Sequence, residues 1–207
     1  MTNLVDRPIS PKGQRQRERL IDVGIALLAE GGWPAVTTRG VAEQASVNPG
    51  LIHYHFGGLG GLHAAVARRA GDMVMNPLVA ELLSAPDERA GLAMLGALLP
   101  KTAGEERTLR LAVALIEGAM RDPALGEVLR DQLRDVRTQV ADRLDELHPG
   151  RPPGRSTGVA TLIAALVDGL MLHYLLDSDL PVGEALAALA DLTEPGQAES
   201  GRTAHHA

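Results

Sequence analysis

No stretch of this chain alternates apolar and polar residues with the period of two that a half-buried β-strand requires. Apolar residues instead recur three and four positions apart, and glycine and proline fall mostly between these apolar stretches. Because this spacing gives a helix one continuous apolar face, the pattern predicts an all-α protein. A chain of 207 residues can bury a core as one large domain or two small ones.

Capping and breaking residues set the bounds of the predicted helices. Thr37 and Asn48 are residue types that cap helix N-termini, and Pro49 suits the first helical position because its missing N–H is not needed there. The sequence GGWP stops the first helix, and Pro77 is expected to bend or break the fourth. The predicted helices are Gln14–Glu30, Thr38–Ala45, Asn48–His55, Gly58–Leu83, Asp87–Leu99, Glu105–Arg121, Pro123–Leu147, Ser156–Asp177 and Val182–Leu192.

Charge is distributed unevenly along the chain. The net charge is −6, which taken alone argues against nucleic acid, but residues 1–70 carry +3 and residues 71–207 carry −9. A basic N-terminal part on an acidic remainder keeps nucleic acid open as a partner. The chain has no cysteine, which excludes disulfides, and its N-terminal residues do not resemble a signal peptide. We therefore expect a cytoplasmic protein.

The most apolar stretch, residues 159–176, is interrupted by Asp168 and His173. We interpret it as a buried helix of a soluble protein rather than a membrane span. It is apolar almost all round, which in a small protein suggests that a partner subunit covers one of its faces.

Residues 37–56, TTRGVAEQASVNPGLIHYHF, fit a helix-turn-helix unit. The second helix of such a unit lies in the DNA major groove, with its N-terminal residues at the base edges. The small core between the two helices would consist of Val41, Ala42, Ala45, Val47 and Ile52. The residues left facing outward are Thr38, Arg39, Leu51, His53, Tyr54 and His55.

At these residues the chain resembles the DNA-binding domain of the TetR family of bacterial regulators. The resemblance runs from Arg19 to Val66, and its elements are Glu30, Gly32, Thr37-Thr38, Val41-Ala42, Ser46-Val47, Gly50, Ile52-His53, His55-Phe56 and Leu62. It implies a three-helix DNA-binding domain followed by a helical bundle for ligand binding and dimerisation. The corresponding division is a flexible basic arm at 1–13, the DNA-binding domain at 14–62, the ligand-binding and dimerisation domain at 63–193, and a disordered tail at 194–207.

The resemblance also implies roles for single residues on a double-stranded DNA operator. Thr38 and Arg39 would contact phosphate or bases, and the segment 48–51 would start the recognition helix against the bases. Tyr54 and His55 would face the DNA backbone, while Phe56 anchors the helix. The predicted DNA-binding residues are Thr38, Arg39, Asn48, Pro49, Gly50, Leu51, His53, Tyr54 and His55.

Two departures from the family pattern lie in the same segment. His53 replaces the usual tyrosine, which shortens the reach and adds a titratable group. Leu59 replaces the lysine that normally meets a phosphate, and Gly60 replaces the acidic residue after it. We hypothesise that backbone N–H groups at Gly58 and Gly60 partly replace this lysine. The arm carrying Lys12, Arg15, Arg17 and Arg19 would supply the remaining charge.

The resemblance implies a homodimer in which a small molecule changes the distance between the two DNA-binding domains. The last two helices are the predicted dimer contact, with interface residues Leu166, Leu170, Tyr174, Leu186 and Leu189; alternatively, these residues only fill the chain's own core. The C-terminal part of the chain contains several methionines and few aromatic rings, which predicts a pocket for a flexible apolar or amphipathic ligand. Its candidate residues are Met73, Met94, Glu117, Met120 and His173.

The function that this sequence favours is a repressor released from a palindromic operator by its ligand. Two alternatives remain open. The protein could be an activator, or it could be a helical ligand-binding module whose DNA-binding domain no longer recognises an operator. The replacement of the family's lysine by Leu59 would favour the second alternative. No nucleophile motif, phosphate-binding loop or metal-ligand set is present in the sequence. We therefore predict no catalysis, cofactor, metal or membrane partner.

Overall fold

The computed structural model describes residues 10–193, and this part of the chain contains nine α-helices and no β-strand. The all-α prediction is thereby confirmed. Residues 1–9 of the predicted arm and the predicted tail at 194–207 lie outside the described residues. The helices are α1 Pro11–Gly31, α2 Thr38–Gln44, α3 Gly50–Phe56, α4 Leu59–Ser84, α5 Glu88–Gly104, α6 Glu106–Arg121, α7 Pro123–Leu147, α8 Arg155–Leu176 and α9 Val182–Thr193, with a 3-10 turn at Trp33–Ala35 between α1 and α2.

Short-range caps set most helix starts. The hydroxyl of Ser10 accepts the N–H of Gly13 at 3.2 Å, and Pro11 occupies the first turn, so α1 begins three residues earlier than predicted. Residues 11–13 of the predicted flexible arm are therefore helical. Asp87 caps α5 by accepting the N–H of Ala90 at 2.7 Å, where the sequence had placed Asp87 inside the helix.

The long helix α4 continues through Pro77, where the sequence predicted a bend or break. A proline inside a helix removes one backbone hydrogen bond and crowds the preceding turn, which costs about 3 kcal/mol. Buried residues flank it on both sides: Val74 precedes it, and Leu78 and Val79 follow it. Their packing holds the helix together across the missing bond.

Helix α4 connects two parts of the molecule, which we call the head (α1–α3) and the body (α5–α9). It packs against α1 and α3 on the head side and against α5, α6 and α7 on the body side. One continuous apolar core extends from Leu20 in α1 to Leu186 in α9, so the head and the body are not separated by solvent.

Helix α8 is far more exposed than its sequence suggested. Leu162, Leu172 and Leu176 are 71%, 57% and 80% exposed, so the chain itself leaves part of this apolar helix uncovered. Within residues 10–193, the segment 155–174 of α8 is also the stretch that is long and apolar enough to cross a membrane. An exposed apolar helix of this kind requires a covering surface.

Candidate nucleic-acid interface

Helices α2 and α3 form a helix-turn-helix unit around a small apolar centre. Thr37 caps α2 through its hydroxyl, which accepts the N–H of Gly40 at 3.0 Å. The turn passes through Ser46, whose φ of 54° lies in the left-handed region. Val41 and Ile52 are fully buried and join the two helices. The residues predicted to pack this centre do so, although Val47 is only partly buried.

The predicted DNA-binding residues lie on the solvent side of this unit. Arg39 on α2 is exposed, and Thr38 beside it is half-buried. At the start of α3, Asn48, Pro49 and Gly50 are exposed, while Leu51 is half-buried. His53 is exposed, and Tyr54 is 77% exposed, which is unusual for an aromatic side chain. A phenol held in solvent at this position can donate to a phosphate or a base edge.

Asn48 also performs a structural task in the absence of DNA. Its side-chain oxygen accepts the N–H of Gly50 at 2.8 Å, which satisfies one of the free donors at the start of α3. Helix α3 therefore begins at Gly50, two residues later than predicted. A change at Asn48 would affect both the start of the recognition helix and the exposed surface beside it.

His55 is less exposed than Tyr54 beside it. Its ring lies edge-on to Tyr54 and Phe56, and its Nδ1 is buried without a hydrogen-bond partner. Burial and the positive charge of Arg17 lower the pKa of His55, so the ring is neutral at pH 7. The guanidinium of Arg17 stacks over the Phe56 ring at 5.1 Å. Sequence reasoning had assigned Arg17 only to the basic arm.

Three glycines shape the junction between α3 and α4. Gly57 ends α3 in the left-handed conformation, with φ of 72°, and Gly58 has φ of 128°. At Gly61 an added Cβ would overlap the carbonyl oxygen of Phe56, so only glycine allows α3 and α4 to approach this closely. A Cβ at Gly60 would lie in open space, and no contact requires glycine there. Leu59, in place of the usual lysine, is 38% exposed.

A second basic surface lies on the first turns of α1. Lys12, Arg15 and Arg19 are exposed, and their spacing of three and four residues places them on one side of the helix. These side chains, rather than a flexible arm, carry the positive charge of residues 11–19 next to the helix-turn-helix unit. They are suited to phosphate contacts, which give affinity without reading sequence.

The residues predicted to line a ligand pocket are scattered. Met73 is 42% exposed on α4, and Met120 is 83% exposed at the end of α6. Glu117 is exposed and pairs with Arg121 one turn later, and His173 is exposed on α8. Met94 is half-buried on α5. Exposed side chains on different helices cannot enclose a ligand, so these five residues do not form a pocket.

A cavity of about 850 Å³ lies elsewhere in the body. It is enclosed by the end of α4, the start of α5, the end of α7, the first half of α8, and α9. Its wall includes four charged residues, Asp87, Glu88, Arg143 and Arg155, but neither methionine nor an aromatic ring. The apolar side chains in the wall are Leu82, Leu83, Leu92, Val140, Leu144, Leu147, Val159, Leu162, Ile163, Leu166 and Leu189.

The residues predicted to form the dimer contact lie on the inward side of α8 and α9. Leu186 is fully buried inside the chain and fills its own core, so it is not part of a surface. The other four, Leu166, Leu170, Tyr174 and Leu189, are partly buried and pack against the same core. The exposed apolar residues Leu172 and Leu176 lie on another side of α8, where sequence reasoning had not placed a contact, while Leu162, which is also exposed, borders the cavity.

Comparison with known proteins relates both parts of this architecture to one family. Residues 20–66 match the family model described as bacterial regulatory proteins of the tetR family. Residues 86–195, more than half of the chain, match the model described as the C-terminal domain of BetI-type transcriptional repressors. No curated protein matches the sequence significantly.

Solved structures share the fold over most of the chain. A protein described as a transcriptional regulator from Streptomyces coelicolor A3(2) has 29% identity and a TM-score of 0.68, over 87% of this chain and 99% of its own. The multidrug binding protein EbrR in complex with ethidium has 26% identity and a TM-score of 0.67, over 88% and 98%. EbrR in complex with imidazole has 24% identity and a TM-score of 0.69, over 96% and 100%. The chain therefore belongs to the TetR family of bacterial transcriptional regulators.

Proposed function

We propose that this protein is a dimeric repressor that binds a palindromic DNA operator through α3 and is released from it by a small molecule. The observation that carries the proposal is the surface of α2 and α3. Tyr54 and His53 stand in solvent on a helix anchored from behind by Ile52 and Phe56, next to exposed Arg39. Such an arrangement stabilises a helix while keeping its outer side chains free for base edges and phosphates.

A homodimer is supported by the exposed apolar stripe of α8. Leu162, Leu172 and Leu176 are too exposed for a helix of a monomeric protein, and soluble proteins cover contiguous patches of this kind with a partner. Ala185 and Ala188 are small, exposed residues on α9, the next helix along the chain. They would allow a second subunit to approach closely. Two such helices from each subunit would form a four-helix contact. In this role α8 is an interface helix of a cytoplasmic protein.

Release by a ligand is supported by the position of the cavity. Leu82 and Leu83, at the end of α4, form part of its wall, while the start of α4 packs against α3. One helix therefore contacts both the cavity and the head. Because dimers read half-sites about one helical turn, roughly 34–36 Å, apart, a small displacement of the heads lowers affinity. DNA and ligand would then weaken each other's binding by the same factor.

The wall of the cavity favours a flexible aliphatic ligand. Its apolar side chains are all leucine, isoleucine and valine, and no aromatic ring is available to stack on a planar molecule. The related protein EbrR binds ethidium, which is planar and aromatic. We therefore expect this chain to differ from EbrR in ligand choice, with decanol as a suitable probe of aliphatic binding.

A selection experiment tests the proposal. Duplexes selected by the protein from a random library should yield a palindrome, and a gel shift on that palindrome should persist in excess competitor DNA. Tyr54→Ala should weaken binding at least about fivefold, since a side chain that contacts DNA contributes about 1–3 kcal/mol. Decanol should release the DNA, whereas ethidium, judged against a DNA-only control for its own intercalation, should not.

The competing candidates give different results in the same experiment. A helical ligand-binding module with a degenerate reader would yield no palindrome but would still bind decanol. An activator would bind the palindrome and retain it when decanol is added, and a reporter gene downstream of the site would separate activation from repression.

A further inference from the structure

Two glycines within helices each receive a polar side chain from a neighbouring element. The first is Gly118 in α6, where an added Cβ would collide with the indole nitrogen of Trp33. Trp33 lies in the 3-10 turn after α1, and its Nε1–H donates to the carbonyl oxygen of Ala114 at 2.7 Å. Ala114 precedes Gly118 by one helical turn, so the missing side chain at Gly118 opens the path to that carbonyl. We call this contact the Gly118 joint.

The second is Gly71 in α4, which faces Gln132 of α7. A Cβ at Gly71 would lie 2.5 Å from Oε1 and 2.8 Å from Nε2 of Gln132. The Nε2 group donates to the carbonyl oxygen of Arg68 at 2.7 Å and to Oδ1 of Asp72 at 2.9 Å. Arg68 again precedes the glycine by about one turn. We call this contact the Gly71 joint.

Both joints lie where the head or α4 meets the body. The Gly118 joint ties the turn after α1 to α6, and His63 of α4 supports it: its ring packs 5.0 Å from that of Trp33 and its Nε2 bonds to the carbonyl oxygen of Val36 at 2.7 Å. The Gly71 joint ties α4 to α7. None of the donor and acceptor residues lines the cavity, and none lies on the exposed surface of α2 and α3.

The chemistry of these contacts limits how the helices can slide. An apolar interface can repack at small cost, whereas a buried N–H that leaves its acceptor loses a hydrogen bond without gaining water. Gln132 is only 5% exposed, and its Oε1 has no partner, so its amide is held by Nε2 alone in a site with little room. The space that each glycine leaves on its helix accepts the neighbouring side chain at one position along that helix. We call this space the notch.

We propose that the Gly118 and Gly71 joints fix the position of the head on the body, so that Trp33 and Gln132 are positioning residues for DNA recognition. The role in DNA recognition rests on the proposed repressor function, while the mechanical role of the joints does not. Loosening either joint leaves the DNA-contacting side chains intact but lets the head move relative to the body.

The single tryptophan of the chain reports the first joint directly. Gly118→Ala should expel the indole from its notch and shift its emission to longer wavelength. Gly104→Ala is the matched control, because a Cβ there meets nothing within 4 Å, and it should leave the emission unchanged. Gln132→Leu removes the polar contacts of the second joint at similar side-chain volume.

Distances between spin labels measure the head position without DNA. The chain has no cysteine, so Gln44→Cys in α2 and Glu127→Cys in α7, both exposed, provide one label on the head and one on the body. Labelled protein diluted into an excess of unlabelled protein gives the distance within one chain. We expect Gly118→Ala and Gln132→Leu to widen or shift the distance distribution, whereas Gly104→Ala should not.

Operator binding provides the second measurement. Both joint variants should bind the selected palindrome about fivefold more weakly, the effect of losing one hydrogen bond's net contribution. They should also tolerate an added or deleted base pair between the half-sites better than the wild type does. A general loss of stability would not relax this spacing preference.

The proposal is overturned if the label distances of both joint variants match the control while the emission shows that Trp33 has moved. It is equally overturned if those distances change but the spacing preference stays that of the wild type. Absence of any operator for the wild type would contradict the repressor function instead, and the label distances would still decide whether the joints hold the head.

Discussion

At the scale of single residues, Leu59 is the clearest departure from the family. The helix start that carries it has N–H groups but no cation, and a leucine that is 38% exposed lies where the family has lysine. Lys12, Arg15 and Arg19 on α1 remain as nearby exposed cations. The helix-turn-helix unit therefore keeps its geometry but lacks the cation that the family pattern has at this position.

We predict that Leu59→Lys tightens operator binding and makes it more dependent on salt. One added phosphate contact steepens the slope of log affinity against log salt concentration by about 0.9. The slope can be measured by fluorescence anisotropy between low and physiological salt, with Leu59→Met as the uncharged control. Equal slopes for the lysine and methionine variants would contradict a phosphate contact at this position.

Local caps and distant contacts differ in how readily the sequence reveals them. Thr37 bonds to Gly40 and Asn48 to Gly50, so these caps follow from residue types two and three positions apart. The Arg17–Phe56 stack joins residues on different helices, and nothing near either residue marks it. His55 was predicted to meet DNA because nothing in the sequence around it indicates that its ring is half-buried beside Tyr54 and Phe56, with Arg17 close enough to lower its pKa.

At the scale of elements, the α3–α4 junction explains why glycines cluster there. Gly57 and Gly58 provide positive φ, and Gly61 allows the carbonyl oxygen of Phe56 to approach α4. A turn and a helix start were predictable from the sequence. The need for glycine at position 61 was not, because it depends on how closely two helices pack.

We predict opposite effects of the same substitution at two neighbouring positions. Gly61→Ala should lower the free energy of unfolding by about 1–3 kcal/mol, because a Cβ there overlaps backbone atoms that cannot easily move. Gly60→Ala should raise it by up to about 1 kcal/mol, because alanine favours the helix and its Cβ meets nothing. Urea unfolding of both variants checks the pair, and equal effects would be inconsistent with this packing of α3 against α4.

Helix α8 shows what the spacing of apolar residues cannot predict. Apolar residues on all sides correctly predicted a helix, but no polar side indicated which face the chain itself covers. Leu166 and Leu170 pack against the core, whereas Leu172 and Leu176 face outward, and the sequence offers no difference between them. The fold class and the approximate helix bounds were accessible from patterns within one element. The orientation of an apolar helix depends on its neighbours.

At the scale of the whole molecule, the outward face of α8 is where we propose that two chains meet. We predict that Leu172→Glu converts the dimer to a monomer at micromolar concentration, because an unpaired carboxylate would be buried in the apolar contact. Ile116→Glu on α6 is the matched control, since its side chain is 58% exposed and that of Leu172 is 57% exposed. Sedimentation velocity distinguishes the two states, and a dimer that survives Leu172→Glu would place the contact elsewhere.

The position of Gly71 in α4 has a mechanical consequence. It lies at the midpoint of a helix that runs from Leu59 to Ser84, so Gln132 holds α4 at its centre. Each half extends about 18 Å from that point, at 1.5 Å per residue. If α4 pivots about its contact with Gln132, the two ends of the helix lie at equal distances from the pivot. A ligand that displaces Leu83 by about 1 Å would then move the head end by the same amount in the opposite direction, without amplification.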